Sequence, residues 1–160
     1  MDNAKKILAE GLAAGYAGGS KIEDVIRAGF SFKSSHVETP DGVYHDEWAA
    51  HRAGGGQELV SITGKTYTRV YAGGTVSLDI LKELGVEESE VGAYLKRKLT
   101  ELGEKTRFDE DCTPDSDGDW RYTYKVTNRE DDIPLLVGVE NLLFKNQKVF
   151  THVFVICPVE

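Results

Sequence analysis

With 160 residues, 40% of them hydrophobic, the chain is long enough for one buried core and too short for two ordinary domains. Its 19 basic and 27 acidic residues leave a formal charge of -8; such a surface repels phosphate backbones and anionic lipid, which argues against direct nucleic-acid or membrane binding. Cys112 and Cys157 stand far apart with no CxxC pattern and no ligand-spaced histidines, so neither a metal nor a disulfide framework is expected, and a reducing cytoplasm fits best.

In chain order, the N-terminal stretch mixes charges into a short apolar periodicity, unlike a signal peptide, and no window approaches a bilayer span. Ala4, Ile7, Leu8, Leu12 and Tyr16 fall at helical spacing and Gly18-Gly19 stops the run, predicting a helix over 3–17. Strands are predicted over 29–35, 43–50, 57–62 and 65–72. A short helical turn over 77–84 and a helix over 88–102 follow, the latter with Val91, Tyr94, Leu95 and Leu99 on one face. Further strands are expected over 105–109, 119–127, 138–144 and 148–156.

The series repeats. Thr39-Pro40-Asp41, followed by Gly42 and Tyr44, returns as Thr113-Pro114-Asp115, followed by Gly118 and Trp120, and a Gly-x-Glu hairpin comes after each. Pro and Asp-Gly chemistry suits tight connections between antiparallel strands. The expectation is a single α+β domain over 1–160 built from two α-β-β-β-β repeats, about 3–75 and 77–160. Each helix would pack on a curved antiparallel sheet, with pseudo-twofold symmetry. Chance likeness between two β-rich segments is the plainer alternative.

A two-residue turn at Thr63-Gly64 places Glu58 opposite Arg69. A three-residue turn, Lys145-Asn146-Gln147, puts Phe144 opposite Lys148 and Glu140 opposite His152, so that the turn absorbs a one-residue difference between the hairpins. Period-two alternation sets Glu58 on a face with Tyr67, Arg69 and Tyr71, and Glu140 on a face with Leu142, Phe144, Phe150 and His152. An ion pair in such surroundings is costly to bury and costly to break. It either holds register or orients a polar ligand at the mouth of a cavity between helix and sheet. With His152 as its cation, the second pair would titrate near neutral pH.

Tyr44, Asp46 and Trp48 share one strand face, matched to Trp120, Tyr122 and Tyr124. Such stripes are ordinarily core; Asp46, aligned with Tyr122 and with His45 and His51 nearby, is the odd polar member. The acidic run over 109–119 fails the calcium-loop pattern at Thr113 and Tyr124. The Gly-Gly-Gly at 54–56 and the Ala-Gly-Gly at 72–74 lack the context of a phosphate loop and are read as bulges or bends. No nucleophile-elbow motif and no cofactor fingerprint is present.

"AEGLAAGYAGG", "VYHDEW", "GQELV" with "GKTYTRVYAGG", and in the second half "WRYTYKV" with "GVENLLFKNQKVFTHVF", resemble an uncharacterised prokaryotic domain family whose members occur alone or behind a Cro/repressor-like helix-turn-helix. The resemblance runs from about Leu8 to Val159. This chain has "HRAGGG" where the family tends to show an aromatic-Gly pair, and "ICPV" in place of a terminal Gly-Gly. The fused arrangement implies a sensing role, of which a free-standing copy would keep the ligand-binding half. No catalytic residues carry over.

The favoured expectation is a non-enzymatic binding module for a small molecule or peptide, with no cofactor. Its candidate site residues are Glu58, Arg69, Tyr71, Glu140, His152, Tyr44, Asp46, Trp48, Trp120 and Tyr122. The alternatives are a hydrolase or isomerase using Asp46, His51 or the Glu140/His152 pair as acid-base groups, and a structural or assembly protein pairing through strand edges, for instance as a homodimer.

Overall fold

Three tight turns set the sheet. Ala28-Gly29, Thr63-Gly64 and Lys145-Asn146 all take positive φ at both central positions, the geometry whose twist suits two-residue antiparallel hairpins. They join β1 (Ile22–Arg27) to β2 (Phe30–Thr39), β4 (Ala53–Ile62) to β5 (Lys65–Thr75), and β7 (Leu136–Phe144) to β8 (Gln147–Val159). With β3 (Gly42–Ala50) and β6 (Trp120–Arg129) they form one antiparallel sheet in the order β1-β2-β3-β4-β5-β8-β7-β6. The computed structural model describes residues 2–19 and 21–159.

The helices are α1 (Asp2–Ala14), α2 (Leu78–Leu84) and α3 (Glu88–Leu102), the last followed by a 3-10 turn at Gly103–Lys105. Helix α2 is bounded by the Ser77 hydroxyl, which accepts from the Ile80 amide, and by Gly85 in the left-handed region at φ 71°. A capping box between Glu87 and Glu90 starts α3. Both long helices lie on one face of the sheet. Ala4, Ile7 and Leu8 of α1 and Val91, Tyr94, Leu95 and Leu99 of α3 meet Tyr44, Val60, Tyr122, Leu142 and Phe154 in a single core. Gly11 permits the close approach of α1, since a Cβ there would lie 2.2 Å from Cγ of Tyr44. On the other face Val70, Val153 and Val155 stay largely exposed. No helix among the described residues is long and apolar enough to cross a membrane.

The α+β class and the antiparallel sheet agree with expectation; the distribution of strands does not. Five strands precede α2 and three follow α3, because β1 was not foreseen and residues 105–109 form no strand. The sequence of β1, Ile-Glu-Asp-Val-Ile-Arg, lacks a clean apolar alternation because it is an edge strand held by pairing with β2; Ile26 is 65% exposed. At 105–109 the chain instead turns through Arg107, whose φ of 60° no strand tolerates. The Gly-Gly-Gly at 54–56 and the Ala-Gly-Gly at 72–74 lie within the regular ladder of β4 and β5, not in bulges. Helix α1 ends at Ala14, three residues before its predicted end.

Glu58 lies opposite Arg69 and Glu140 opposite His152, as the register predicts. The one-residue difference between the hairpins, however, is absorbed by a bulge and not by the turn. Phe144 pairs with Gln147 and Leu143 with Lys148, after which Leu142 pairs with Phe150. Val149 is the extra residue; it is fully buried, and its carbonyl accepts from the amide of Val76, 3.0 Å away. At the seam, β5 pairs with β8 so that Tyr71 faces Phe154, Arg69 faces Ile156 and Gly73 faces His152.

Leu95 is 1% exposed at the centre of the helix-sheet contact. Leu95→Ala is expected to cost about 2–5 kcal/mol, seen as a lower urea midpoint with an unchanged denaturant slope.

Candidate functional site

Two buried acid-arginine pairs cross the inner face. Arg69 on β5 donates from Nη2 to Oε1 of Glu58 (2.7 Å) and from Nε to its other oxygen, while the Tyr44 hydroxyl donates to Oε1 (2.9 Å). Arg107, from the irregular chain after α3, donates to Glu140 through Nε (2.8 Å) and Nη2 (2.6 Å), and the Tyr122 hydroxyl donates to the same carboxylate (2.7 Å). The pairs are joined: Nη1 of Arg69 donates to the carbonyl of Arg107 at 2.5 Å. Both guanidiniums are held above their ordinary pKa, because their carboxylates outweigh the cost of burial. Burial works against the charge on Glu140, but Arg107 and Tyr122 overcome it and the carboxyl ends below its ordinary value.

The cation for Glu140 is therefore Arg107, not His152. The ring nitrogen Nδ1 of His152 stays 3.9 Å from the carboxylate and has no hydrogen-bond partner among the described residues. Burial and the nearby Arg107 charge lower the imidazole to about 4, so it is neutral at pH 7 and does not titrate in the neutral range. Its ring packs beside Phe150, Tyr71 and Phe154.

A cavity of about 200 Å³ opens between α1, α3 and the sheet. Asp46, Trp48, Glu58, Tyr71 and His152 line it, joined by Tyr16, His51, Arg52, Glu88, Gly92 and Arg107. Its sheet wall is bare because Gly54, Gly55, Gly73 and Gly74 put no side chains into it. Gly73, at φ 147°, also lets His152 close in, since a Cβ would meet the Thr151 carbonyl and the imidazole. Arg69, Tyr44, Glu140 and Tyr122 stand behind this wall as its support and do not line the cavity. Trp120 is remote, stacked on Tyr94 with ring centres 4.7 Å apart. By register it is Tyr122, not Trp120, that matches Tyr44: Asp46 pairs with Glu58 and Tyr124 with Glu140, each two residues further on.

Asp46 is the unusual member. It is 2% exposed, sits opposite Glu58, and receives only the long hydrogen bonds of the Tyr71 hydroxyl, at 3.2 and 3.3 Å, among the described residues. Burial, reinforced by the Glu58 charge, raises its carboxyl to about 8, so that it carries a proton at neutral pH. His45 alternates to the other face and lies near Glu47. A second cleft of about 340 Å³, lined by Tyr67, Phe108, Leu136, Ile156 and Cys157, opens beyond the other hairpin and is mostly apolar. In the acidic run, Asp111 is engaged by Lys125 and the Val126 amide, and Asp117 by Lys98 and Arg97. Both cysteines are free thiols.

Tested against protein-family models, curated proteins and solved structures, the chain matches none of them.

Sequence reasoning missed Arg107, Tyr16, Glu88 and Gly92. Tyr16 and Glu88 carried a signal only as the end of a helical face and the start of a helix. Arg107 carried none, since its pairing depends on a turn that neither spacing nor composition announces.

Glu140→Gln leaves Arg107 buried without its counter-charge and is expected to cost about 3–5 kcal/mol in chemical denaturation; His152→Phe, which leaves that pair intact, should cost far less. A carboxyl that ionises near 3.8 when unfolded and near 8 when folded binds its proton preferentially in the native state. Stability from Asp46 is thus full below about pH 4 and is lost as pH rises to about 8. Asp46→Asn is expected to flatten that part of the melting-temperature profile and to raise stability at pH 8 by about 1–2 kcal/mol.

Proposed function

We propose that the protein is a non-enzymatic binding module whose ligand, a small molecule, occupies the cavity between α1, α3 and the sheet. The observation that carries this reading is the combination of bare glycine wall and buried Asp46: an acid held without a cation costs stability, and its retention fits a role in recognition. The size of the cavity, room for about seven waters at roughly 30 Å³ each, suits a small molecule or one peptide side chain rather than a longer peptide. A sensing role of the kind implied by the family resemblance agrees with a chain that offers a cavity. The free thiols agree with a reducing cytoplasm.

An internal duplication is part of the same proposal. Strands β3-β4-β5 and β6-β7-β8 flank the β5/β8 seam in mirrored order, and each half offers a Tyr-Glu-Arg cluster with its tyrosine two residues before the one that faces the glutamate. In this view the halves have diverged at the cavity: Gly54 and Gly73 in one half correspond to Leu136 and Ile156 in the other.

One observation favours a second reading. An acid poised near 8, a tyrosine and a neutral imidazole lining one cavity could exchange protons with a bound substrate, as an isomerase or hydrolase requires. Among the described lining residues, however, no serine or cysteine stands ready as a nucleophile. Binding accounts for the site with fewer parts.

Gly92 offers a clean test, because it lines the cavity from α3 and a Cβ there meets nothing within 4 Å. Gly92→Leu should fill the cavity while raising helix stability by up to about 1 kcal/mol. Native mass spectrometry of protein purified from its host is expected to show a bound small molecule in the wild type and none in Gly92→Leu. Equal occupancy in both, or persistent turnover of a substrate by the filled variant, would count against the cavity as the site.

A further inference from the structure

We propose that the ligand is an organic cation, an amine or quaternary ammonium head seated between Asp46 and the rings of Trp48, Tyr71 and His152. The inference rests on the binding reading above and adds the chemical class. It follows from which charges around the cavity are already spent. Glu58 is balanced by Arg69, and Glu140 by Arg107. Arg52 gives one N–H to the neutral carbonyl of Thr75 and keeps its positive charge, which stands against that of Glu88 at the same rim. Asp46, which is buried, has no such partner among the described residues. An anionic ligand seated at Asp46 would therefore meet two buried carboxyl groups, Asp46 and Glu58, while the buried guanidiniums of Arg69 and Arg107 are already engaged. A cation would supply the missing partner of Asp46.

The walls point the same way. Aromatic faces attract cations, by about 0.5–2 kcal/mol per contact as the site dries. The chain's own cations lie over Phe154, Tyr16, Tyr94 and Phe144; among the described residues none lies over Trp48 or Tyr71, which line the cavity with Asp46.

Binding would exchange one positive charge for another: the Asp46 carboxyl loses its proton to solvent as the ligand cation arrives, and net charge in the cavity is conserved. The groups that face Asp46 set this exchange. Burial and the Glu58 charge, from β4, favour the proton; Tyr71 and Arg69 from β5 and the Arg107 guanidinium favour its loss, and the Tyr44 hydroxyl of β3 is kept neutral by burial. His152 of β8 is neutral, Tyr16 after α1 keeps its proton through burial, and Glu88 of α3 lies at the rim.

The test is isothermal titration calorimetry of the full chain with benzylamine and tetramethylammonium as cations, benzyl alcohol as a neutral isostere and benzoate as an anion. Titrations run from pH 6 to 8 in buffers of different ionisation enthalpy. At least one cation is expected to bind tenfold or more tightly than benzyl alcohol and benzoate. Its Kd should fall about ninefold from pH 6 to 7 and about fivefold from pH 7 to 8, with about one proton released at pH 6. Asp46→Asn should weaken the cation at least tenfold at pH 8 and remove the pH dependence, and Gly92→Leu should abolish binding. If benzyl alcohol or benzoate binds as tightly as the cations, or cation affinity ignores pH, the class is wrong and the binding reading stands. If no probe of any class binds the wild type, both fall.

Discussion

The guanidinium of Arg69 holds two places at once. It clamps Glu58 across the β4-β5 ladder and binds the carbonyl of Arg107, whose own side chain clamps Glu140 on β7. A loop without regular structure is thereby fixed under the sheet, and the two sides of the β5/β8 seam share one electrostatic network. Buried ion pairs of this kind add little stability over well-packed apolar groups, yet removing one member is severe. Their effect here is positional: the paired charges fix where the side chains behind the cavity's wall stand.

That pairing also isolates Asp46. With Glu58 and Glu140 neutralised, Asp46 is the remaining buried acid among the described residues; it lies beside a carboxylate and, among those residues, is held by a tyrosine alone. Its proton is a substitute for a counter-ion. The corresponding place opposite Glu140 is taken by Tyr124, whose hydroxyl donates to the carbonyl of Phe108 and whose ring covers Gly138. One half of the sheet is therefore packed where the other is open. The difference comes from small residues: Gly54 and Gly73 against Leu136 and Ile156, both nearly buried.

What could be read from the residues depended on whether local rules determined it. Thr63-Gly64 dictates a two-residue turn, so the pairing of Glu58 with Arg69 was legible, and Asp46 stood out as a polar residue on an aromatic stripe. In the second hairpin the register of Glu140 was right for the wrong reason, since the additional residue is Val149 in a bulge. The partner of Glu140 was not legible at all. Register places His152 opposite it, but a short aromatic ring flanked by Phe150 and Phe154 does not reach, whereas Arg107 arrives from a segment distant in sequence through a left-handed turn. The glycines drew attention as bends; their role is to leave space, which appears only once two regular strands are laid side by side.

The central claim is that Asp46 is a buried acid kept short of a cation, and the most direct measurement is a carbon-13 NMR titration of its carboxyl in the ligand-free protein, assigned by comparison with Asp46→Asn. A midpoint near 8 is the result this account predicts. A midpoint near 4, the ordinary value for an exposed aspartate, would contradict it and leave the cavity without its defining charge.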